Sequence, residues 1–329
     1  MYTYNTMTKN IYMTRPIHES GVTMLREKGY TITMGPPGDT PTHESVVSAI
    51  ASVPYDAVVT FLTDTVDASL FNVCPTAKIF ANYAVGFNNI NIEDAKSNGV
   101  VVTNTPGCAG KAVAEHTVAL MLAVTARIAE GDAYMRSGKY SGWQPELLIG
   151  TDLSGKKIGL IGLGDIGVQT ARILVKGFGC NIVYTDLKAN EMLDAECGTV
   201  FVPNEELFST ADIISLHVPL LASTTHLIND ETIAMMKDGV IIINTARGPV
   251  IDEHALVRGL ASKKVRGVGL DVFEFEPILS KGLMNSEGVV LTPHIASARE
   301  SVRVKMSEIV AQNIISFFET GNAVTSIIK

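Results

Sequence analysis

Between Lys157 and Gly167 the chain reads Lys-Ile-Gly-Leu-Ile-Gly-Leu-Gly-Asp-Ile-Gly, a G-x-G-x-x-G directly after an apolar strand and ahead of a helical stretch, Val168–Lys176. That setting constrains the fold more than any other feature, because each glycine meets a need no larger residue meets. Gly162 permits the tight turn and Gly164 lets a pyrophosphate approach the backbone. Gly167 lets helix and strand pack closely, with the helix N-terminus facing the anion. Leu163, Asp165 and Ile166 complete the loop and are expected beside the same ligand. The next strand ends at Asp186, 19 residues beyond Gly167. There a carboxylate can accept hydrogen bonds from ribose hydroxyls and would repel a 2′-phosphate, so the cofactor predicted is NAD rather than NADP.

Strand and helix signals alternate on both sides of this motif, as in successive βα units. Before it, strands are predicted at Ile11–Thr14, Thr31–Met34, Ala57–Phe61, Lys78–Ala81 and Val100–Thr103. Helical spacing covers Pro16–Lys28, Pro41–Ala51, Asp64–Asn72 and Ile92–Asn98, with Thr42 and Asp64 placed as caps. Thr105–Gly110 is a breaker-rich joint, after which Val113, Leu120, Met121, Val124 and Ile128 mark one face of a long helix. Gly138–Gly155, carrying Trp143 and Pro145, reads as a loop region.

A second series of strands follows at Ile158–Ile161, Ile182–Thr185, Ile213–Leu216, Val240–Asn244, Val265–Leu270 and Val289–Thr292. Each is apolar without alternation, as a parallel sheet covered on both faces requires. The final helix, Arg299–Thr320, lies beyond the last of these strands, whereas the first series lacks a closing helix. Packing it back onto the first series makes that domain discontinuous. The chain of 329 residues also exceeds what one ordinary core holds. The predicted fold class is thus α/β with two doubly wound parallel-sheet domains: residues 110–297 inserted into a domain made of 1–109 and 298–329.

Hydrophobic residues at 46% and charged residues at 18% suit a soluble globular chain. The net charge of −8, with no dense Lys/Arg cluster, offers no footprint for nucleic acid. No apolar run approaches the ~20 residues that span a bilayer, and Met1–Asn10 lacks the apolar centre of a signal peptide, so no membrane partner and a cytoplasmic location are expected. Cys74, Cys108, Cys180 and Cys197 have no C-x-x-C spacing, which argues against a disulfide framework or zinc site.

Three residues share one structural address. Arg247 follows Val240–Asn244, Glu276 follows Val265–Asp271 and His294 follows Val289–Thr292. The carboxyl edge of an open α/β sheet is where ligands bind, so these distant residues should meet in one crevice with the glycine loop. Their types fit one reaction. Arg247 offers a fork of donors for a substrate carboxylate and the adjacent carbonyl, His294 can exchange the hydroxyl proton, and Glu276 would stabilise the imidazolium. Taken singly, Arg247 could cap a helix, Glu276 could be a solvated loop charge and His294 a turn residue; their coincidence argues otherwise. His217, in Leu216-His-Val-Pro219, also follows a strand end and could meet the cofactor or simply pack, as could Pro219. His18, His43, His226 and His254 read as solvated, and His116 as a structural histidine. No metal-ligand spacing is present, so no metal is predicted.

These motifs make a family resemblance. Over nearly its whole length the chain resembles the D-isomer-specific 2-hydroxyacid dehydrogenases, in the segments Ala81–Asn89, Val101–Gly107, Ile161–Gly167, Ile243–Asp252, Gly269–Glu274 and Leu291–Ser297, in matching order. The resemblance implies a Rossmann NAD-binding domain inserted into a flavodoxin-like substrate domain, a homodimer, and the roles given to Arg247, Glu276 and His294. It further implies that the backbone at Val85 and Gly86 binds the substrate carboxylate. Thr117, Thr245, Ala246, Asp271 and Ala296 match positions lining the cofactor, although Ala296 stands where many members have glycine.

Within the family, Ala81–Asn89 and Trp143 are most similar to glyoxylate and hydroxypyruvate reductases, where such a tryptophan reaches the partner subunit's active site. Cys108–His116 is closer to phosphoglycerate and D-lactate dehydrogenases, and Gly142–Pro145 also resembles phosphite dehydrogenase. The reaction expected is NAD(H)-dependent interconversion of a small 2-keto acid and its D-2-hydroxy acid. A dinucleotide-sensing, co-repressor-like protein is the alternative of another class.

Overall fold

A computed structural model describes residues 8–328. The chain divides into two compact units, one running to Ala109 and resuming at Ala298, the other Gly110–Ser297.

The first unit holds β1 (Asn10–Met13), β2 (Thr31–Met34), β3 (Ala57–Thr60), β4 (Ile79–Asn82) and β5 (Val101–Thr103). They form a parallel sheet in the order β2-β1-β3-β4-β5. β3 and β4 are buried at every position, which is why their sequences carry no polar alternation. The helix Glu300–Thr320 packs on this unit: Ser307 Oγ donates to the His18 carbonyl at 2.6 Å and accepts from Gly21 N at 2.8 Å. Its Val302, Met306, Val310 and Ile314 are buried, giving the amphipathic spacing its purpose. Buried Asn313 takes Thr325 N at 2.8 Å and donates to Thr325 Oγ1 at 2.8 Å, pinning the segment after the helix.

Thr42 caps its helix as predicted, accepting from Ser45 N at 3.2 Å. Asp64 does not cap the next one. That helix spans only Ala68–Val73 and its cap is Asp67. Asp64 is buried instead, accepting from Thr14 Oγ1 at 2.5 Å and Phe61 N at 2.8 Å, so its carboxylate stitches the ends of β1 and β3.

The second unit holds β6 (Lys157–Ile161), β7 (Asn181–Thr185), β8 (Val200–Phe201), β9 (Ile213–Leu216), β10 (Val240–Asn244), β11 (Val265–Leu270) and β12 (Val289–Leu291). The order is β12-β11-β10-β9-β6-β7-β8, again all parallel. The chain steps outward from β6 to β8 and then returns to the other side of β6 with β9. This reversal opens a crevice beyond the carboxyl ends of β6 and β9. The helix Gly110–Thr125, buried along Val113, Leu120, Met121 and Val124, belongs to this unit's core. Among the described residues no single helix is long and apolar enough to cross a membrane.

Candidate active site

The glycine loop leaves β6 at the reversal point. Gly162 has φ +93°, and a Cβ there would stand 2.7 Å from the His217 carbonyl oxygen, so the turn excludes every side chain. Gly164 caps the helix Asp165–Phe178 with no side-chain hydrogen bond, and a Cβ at Gly164 would meet nothing within 4 Å. Open space therefore lies over an uncapped helix N-terminus, the arrangement that receives a phosphate. A Cβ at Gly167 would fall on the Gly162 carbonyl oxygen, so the third glycine sets the helix against the loop.

Asp186 ends β7 with its carboxylate fixed by two backbone donors, Leu163 N and Leu187 N, each at 2.6 Å. Beside it lies a groove of about 420 Å³ lined by Leu163, Asp186, Lys188, Asn190 and Met192 among others. A free helix N-terminus, a fixed strand-end carboxylate and the groove beside it make a set of donors and acceptors of the kind a dinucleotide would use.

His217 and Pro219 follow β9, across the reversal from the loop. Burial pushes the His217 imidazole down to about 4, leaving it neutral at physiological pH. Its Nε2 meets Ser215 Oγ at 3.0 Å, while Nδ1 is buried with no partner. Thr245 and Thr117 are both buried and share a 2.8 Å hydrogen bond between their hydroxyls. Ala246 N donates to Asn244 Oδ1 at 3.0 Å, turning the chain so that Arg247 comes next.

Arg247 is partly buried and has no acid within ion-pair distance among the described residues; its Nη1 donates to the Ala246 carbonyl at 2.6 Å. Burial lowers its pKa, and the charge of nearby Glu276 opposes that. Glu276 and His294, from different strands, do meet: His294 Nδ1 lies 3.0 Å from Glu276 Oε2. The other Glu276 oxygen accepts from Phe273 N at 2.9 Å. Burial alone would raise the Glu276 carboxyl, but the His294 bond and charge, the Phe273 N–H and the Arg247 charge together hold it below the usual value.

His294 has φ +53°, a left-handed backbone that a non-glycine residue adopts only when its surroundings enforce it. The enforcing group is Asp271. Its carbonyl accepts His294 N at 2.9 Å, and its carboxylate accepts Thr292 Oγ1 at 2.6 Å, Ile295 N at 2.8 Å and Ala296 N at 2.8 Å. Asp271 is wholly buried, so its carboxylate organises the His294 turn and does not face the crevice. Burial would raise its pKa, yet His116, Thr292 and the two N–H groups lower it. His116 bonds Thr292 Oγ1 at 3.0 Å, the structural role its sequence position suggested.

Three further sequence-derived candidates lie on other elements. Val85 and Gly86 follow β4 in the first unit, where their carbonyls accept Asn104 Nδ2 at 2.7 Å and Asn82 Nδ2 at 3.1 Å. Trp143 is 82% exposed on the segment after the helix Ile128–Arg136. Sequence reasoning also passed over His226, read as solvated. Its Nε2 bonds Glu274 Oε1 at 2.6 Å while the side chain stays 44% exposed, and its backbone has a φ of +51°.

Residues 118–296 match the D-isomer specific 2-hydroxyacid dehydrogenase, NAD binding domain family. The chain is 42% identical over 315 residues to a glyoxylate reductase of Thermococcus litoralis, covering 94% of each. It belongs to the D-isomer-specific 2-hydroxyacid dehydrogenases.

Solved members of that family share the whole architecture. A glyoxylate reductase from Paecilomyes thermophila superposes with a TM-score of 0.86 at 31% identity, over 97% of this chain and 98% of that one. An NADPH-dependent glyoxylate/hydroxypyruvate reductase from Sinorhizobium meliloti, solved with NADP and malonate, gives 0.83 at 30% identity over 98% and 97%. Membership makes this protein a nicotinamide-dependent 2-hydroxyacid dehydrogenase acting on a small molecule.

Proposed function

We propose that the protein reduces glyoxylate or hydroxypyruvate to the corresponding 2-hydroxy acid with NADH, using Arg247, Glu276 and His294. The observation that carries this reading is a partly buried arginine without an acid partner beside a histidine–glutamate pair. A guanidinium removed from water favours a bound anion, and its fork fits a carboxylate and the neighbouring carbonyl oxygen. Arg247 holds and polarises the 2-keto acid. His294, oriented through Nδ1 by Glu276, gives its Nε2 proton to the carbonyl oxygen as the alcohol forms, and Glu276 stabilises the charge carried before that transfer. The nicotinamide supplies the hydride. Val85 and Gly86 bind the substrate carboxylate through backbone N–H groups.

The choice of NADH rests on Asp186, whose fixed carboxylate suits ribose hydroxyls and repels a 2′-phosphate. Gly162–Gly167, Thr117, His217, Pro219, Thr245, Ala246 and Ala296 border the cofactor, and Asp271 serves it indirectly by shaping the His294 turn. The protein acts as a homodimer. Ile128, Met135, Tyr140, Trp143 and Ile149 expose apolar surface along one helix and the following loop, and a second copy would cover them.

The test is a panel of glyoxylate, hydroxypyruvate, pyruvate and 3-phosphohydroxypyruvate assayed with NADH and with NADPH, alongside light scattering for mass. Turnover of the first two substrates with NADH preferred, by a dimer, supports the reading. Preference for NADPH removes the role of Asp186, and inactivity with every substrate favours a sensing protein.

A further inference from the structure

Close in sequence to Glu276 and to Arg247 lies a pair of acids, Glu274 and Glu253. Glu253 opens the helix Glu253–Ala261, and Glu274 precedes Glu276 by two positions. Each side chain accepts the other's backbone N–H: Glu274 N donates to Glu253 Oε1 at 2.7 Å, and Glu253 N donates to Glu274 Oε2 at 3.0 Å. The second Glu274 oxygen takes His226 Nε2 at 2.6 Å. The second Glu253 oxygen is buried without a partner among the described residues. Capping does not explain Glu253, since Asp252 already caps that helix through Ala255 N at 3.0 Å.

Holding two acids this close against one histidine is costly. Burial, reinforced by the charges of Glu274 and Glu276 and opposed by the Glu274 N–H, pushes the Glu253 carboxyl up. Such an arrangement persists where it holds something in place, and the segment it grips leads straight to the active groups. Phe273 N donates to Glu276 Oε1 at 2.9 Å. The Phe273 carbonyl presses on Gly248, the residue after Arg247, where any Cβ would overlap it. On the far side His226 N donates to the Pro249 carbonyl at 2.9 Å.

We propose that Glu253 and Glu274 form a reciprocal clasp that positions Glu276 and Arg247 through the Phe273–Glu274 peptide, touching neither substrate nor cofactor. The proposal rests on the roles given above to those two groups. Both clasp members are positioning residues. Glu253 grips the Glu274 N–H through one acceptor oxygen, which a glutamine side chain retains.

The test uses the full chain with Glu253→Ala, Glu253→Gln and, should the alanine variant fail to fold, Glu274→Gln. Five quantities are read: NADH affinity by fluorescence, kcat and KM for hydroxypyruvate, thermal midpoint, and the ring signal of His294 in histidine-labelled protein by NMR. Glu253→Ala should lower kcat on the order of 10- to 100-fold, the scale of a small misplacement of reacting groups, with NADH affinity kept and the His294 signal moved. Glu253→Gln should restore both toward wild type, and Glu274→Gln, which keeps one acceptor but loses the His226 pair, should fall between.

A Glu253→Ala protein with wild-type kcat and an unmoved His294 signal overturns the clasp. So does one that loses NADH binding and kcat by the same factor, which would mark general loosening. A Glu253→Gln protein as impaired as the alanine variant overturns it too. Wild-type protein inactive on all 2-keto acids overturns the proposed function instead, while the His294 signal still reports on the clasp.

Discussion

His294 Nδ1 and Glu276 Oε2 stand 3.0 Å apart although they leave different strands, and the histidine reaches that position only through a left-handed backbone. The imidazole proposed to transfer the proton is thus oriented by a carboxylate and by a main-chain conformation that Asp271 holds. Replacing Glu276 by Gln keeps the volume and removes the charge. Turnover should fall about 100-fold or more, the scale of general acid–base assistance, with NADH affinity unchanged. Steady-state kinetics with fluorescence titration checks this.

The same pair has a pH signature in stability. The Glu276 carboxyl is held below its ordinary value in the folded state, so its contribution is fully present above the unfolded value of roughly 4.3 and is lost as pH falls through the lower folded value. Denaturant unfolding of wild type and Glu276→Gln should therefore show a constant difference near neutral pH that shrinks in acid. A difference that grows on acidification would contradict the sign.

Asp271→Asn removes one acceptor from a carboxylate serving Thr292, Ile295 and Ala296. A buried donor left without a partner costs about 1–3 kcal/mol. The variant should lose that much stability in urea unfolding and also lose kcat, because the His294 turn is no longer enforced. Thr292→Val, which deletes the hydroxyl's bonds to Asp271 and His116 but keeps the carboxylate, should show the smaller effect on both.

Much of this architecture is legible in the sequence because parallel, buried strands are apolar runs: β9, β10 and β11 are read to the residue, as is β2, a half-exposed edge strand marked by its β-branched residues. β8 is not, since Val200 and Phe201 form a two-residue edge strand with exposed side chains that give no periodicity. Asp64 was misread as a cap because a carboxylate ahead of a helical run looks the same whether it meets free N–H groups or, as here, Thr14 across the sheet. Glu276 and His294 could be placed at one edge because strand ends converge there. Glu253, Glu274 and His226 could not, because their pairing depends on loop paths and a positive φ that no local pattern announces.

Gly162→Ala tests the cofactor loop. The new Cβ would sit 2.7 Å from the His217 carbonyl in a left-handed backbone, which costs about 1–2 kcal/mol before any clash. NADH affinity should collapse and the thermal midpoint should drop, whereas Gly164→Ala, with open space around it, should lose affinity at unchanged stability. Fluorescence titration and calorimetry separate the two.

Arg247→Ala should abolish turnover while leaving NADH bound, and Arg247→Lys should recover little, because a point charge does not reproduce the guanidinium fork. Wild-type turnover in the alanine variant would remove Arg247 from the mechanism.

The central claim is hydride transfer from NADH to the keto carbon of a small 2-keto acid at this site. Incubating the wild-type enzyme with hydroxypyruvate and NADH deuterated at nicotinamide C4 tests it most directly, the product being read by mass spectrometry and chiral chromatography. D-glycerate carrying deuterium at C2 is expected from one of the two C4-labelled forms, and none from enzyme with His294→Ala. Product without deuterium from either form, L-glycerate, or no product from any 2-keto acid would contradict it.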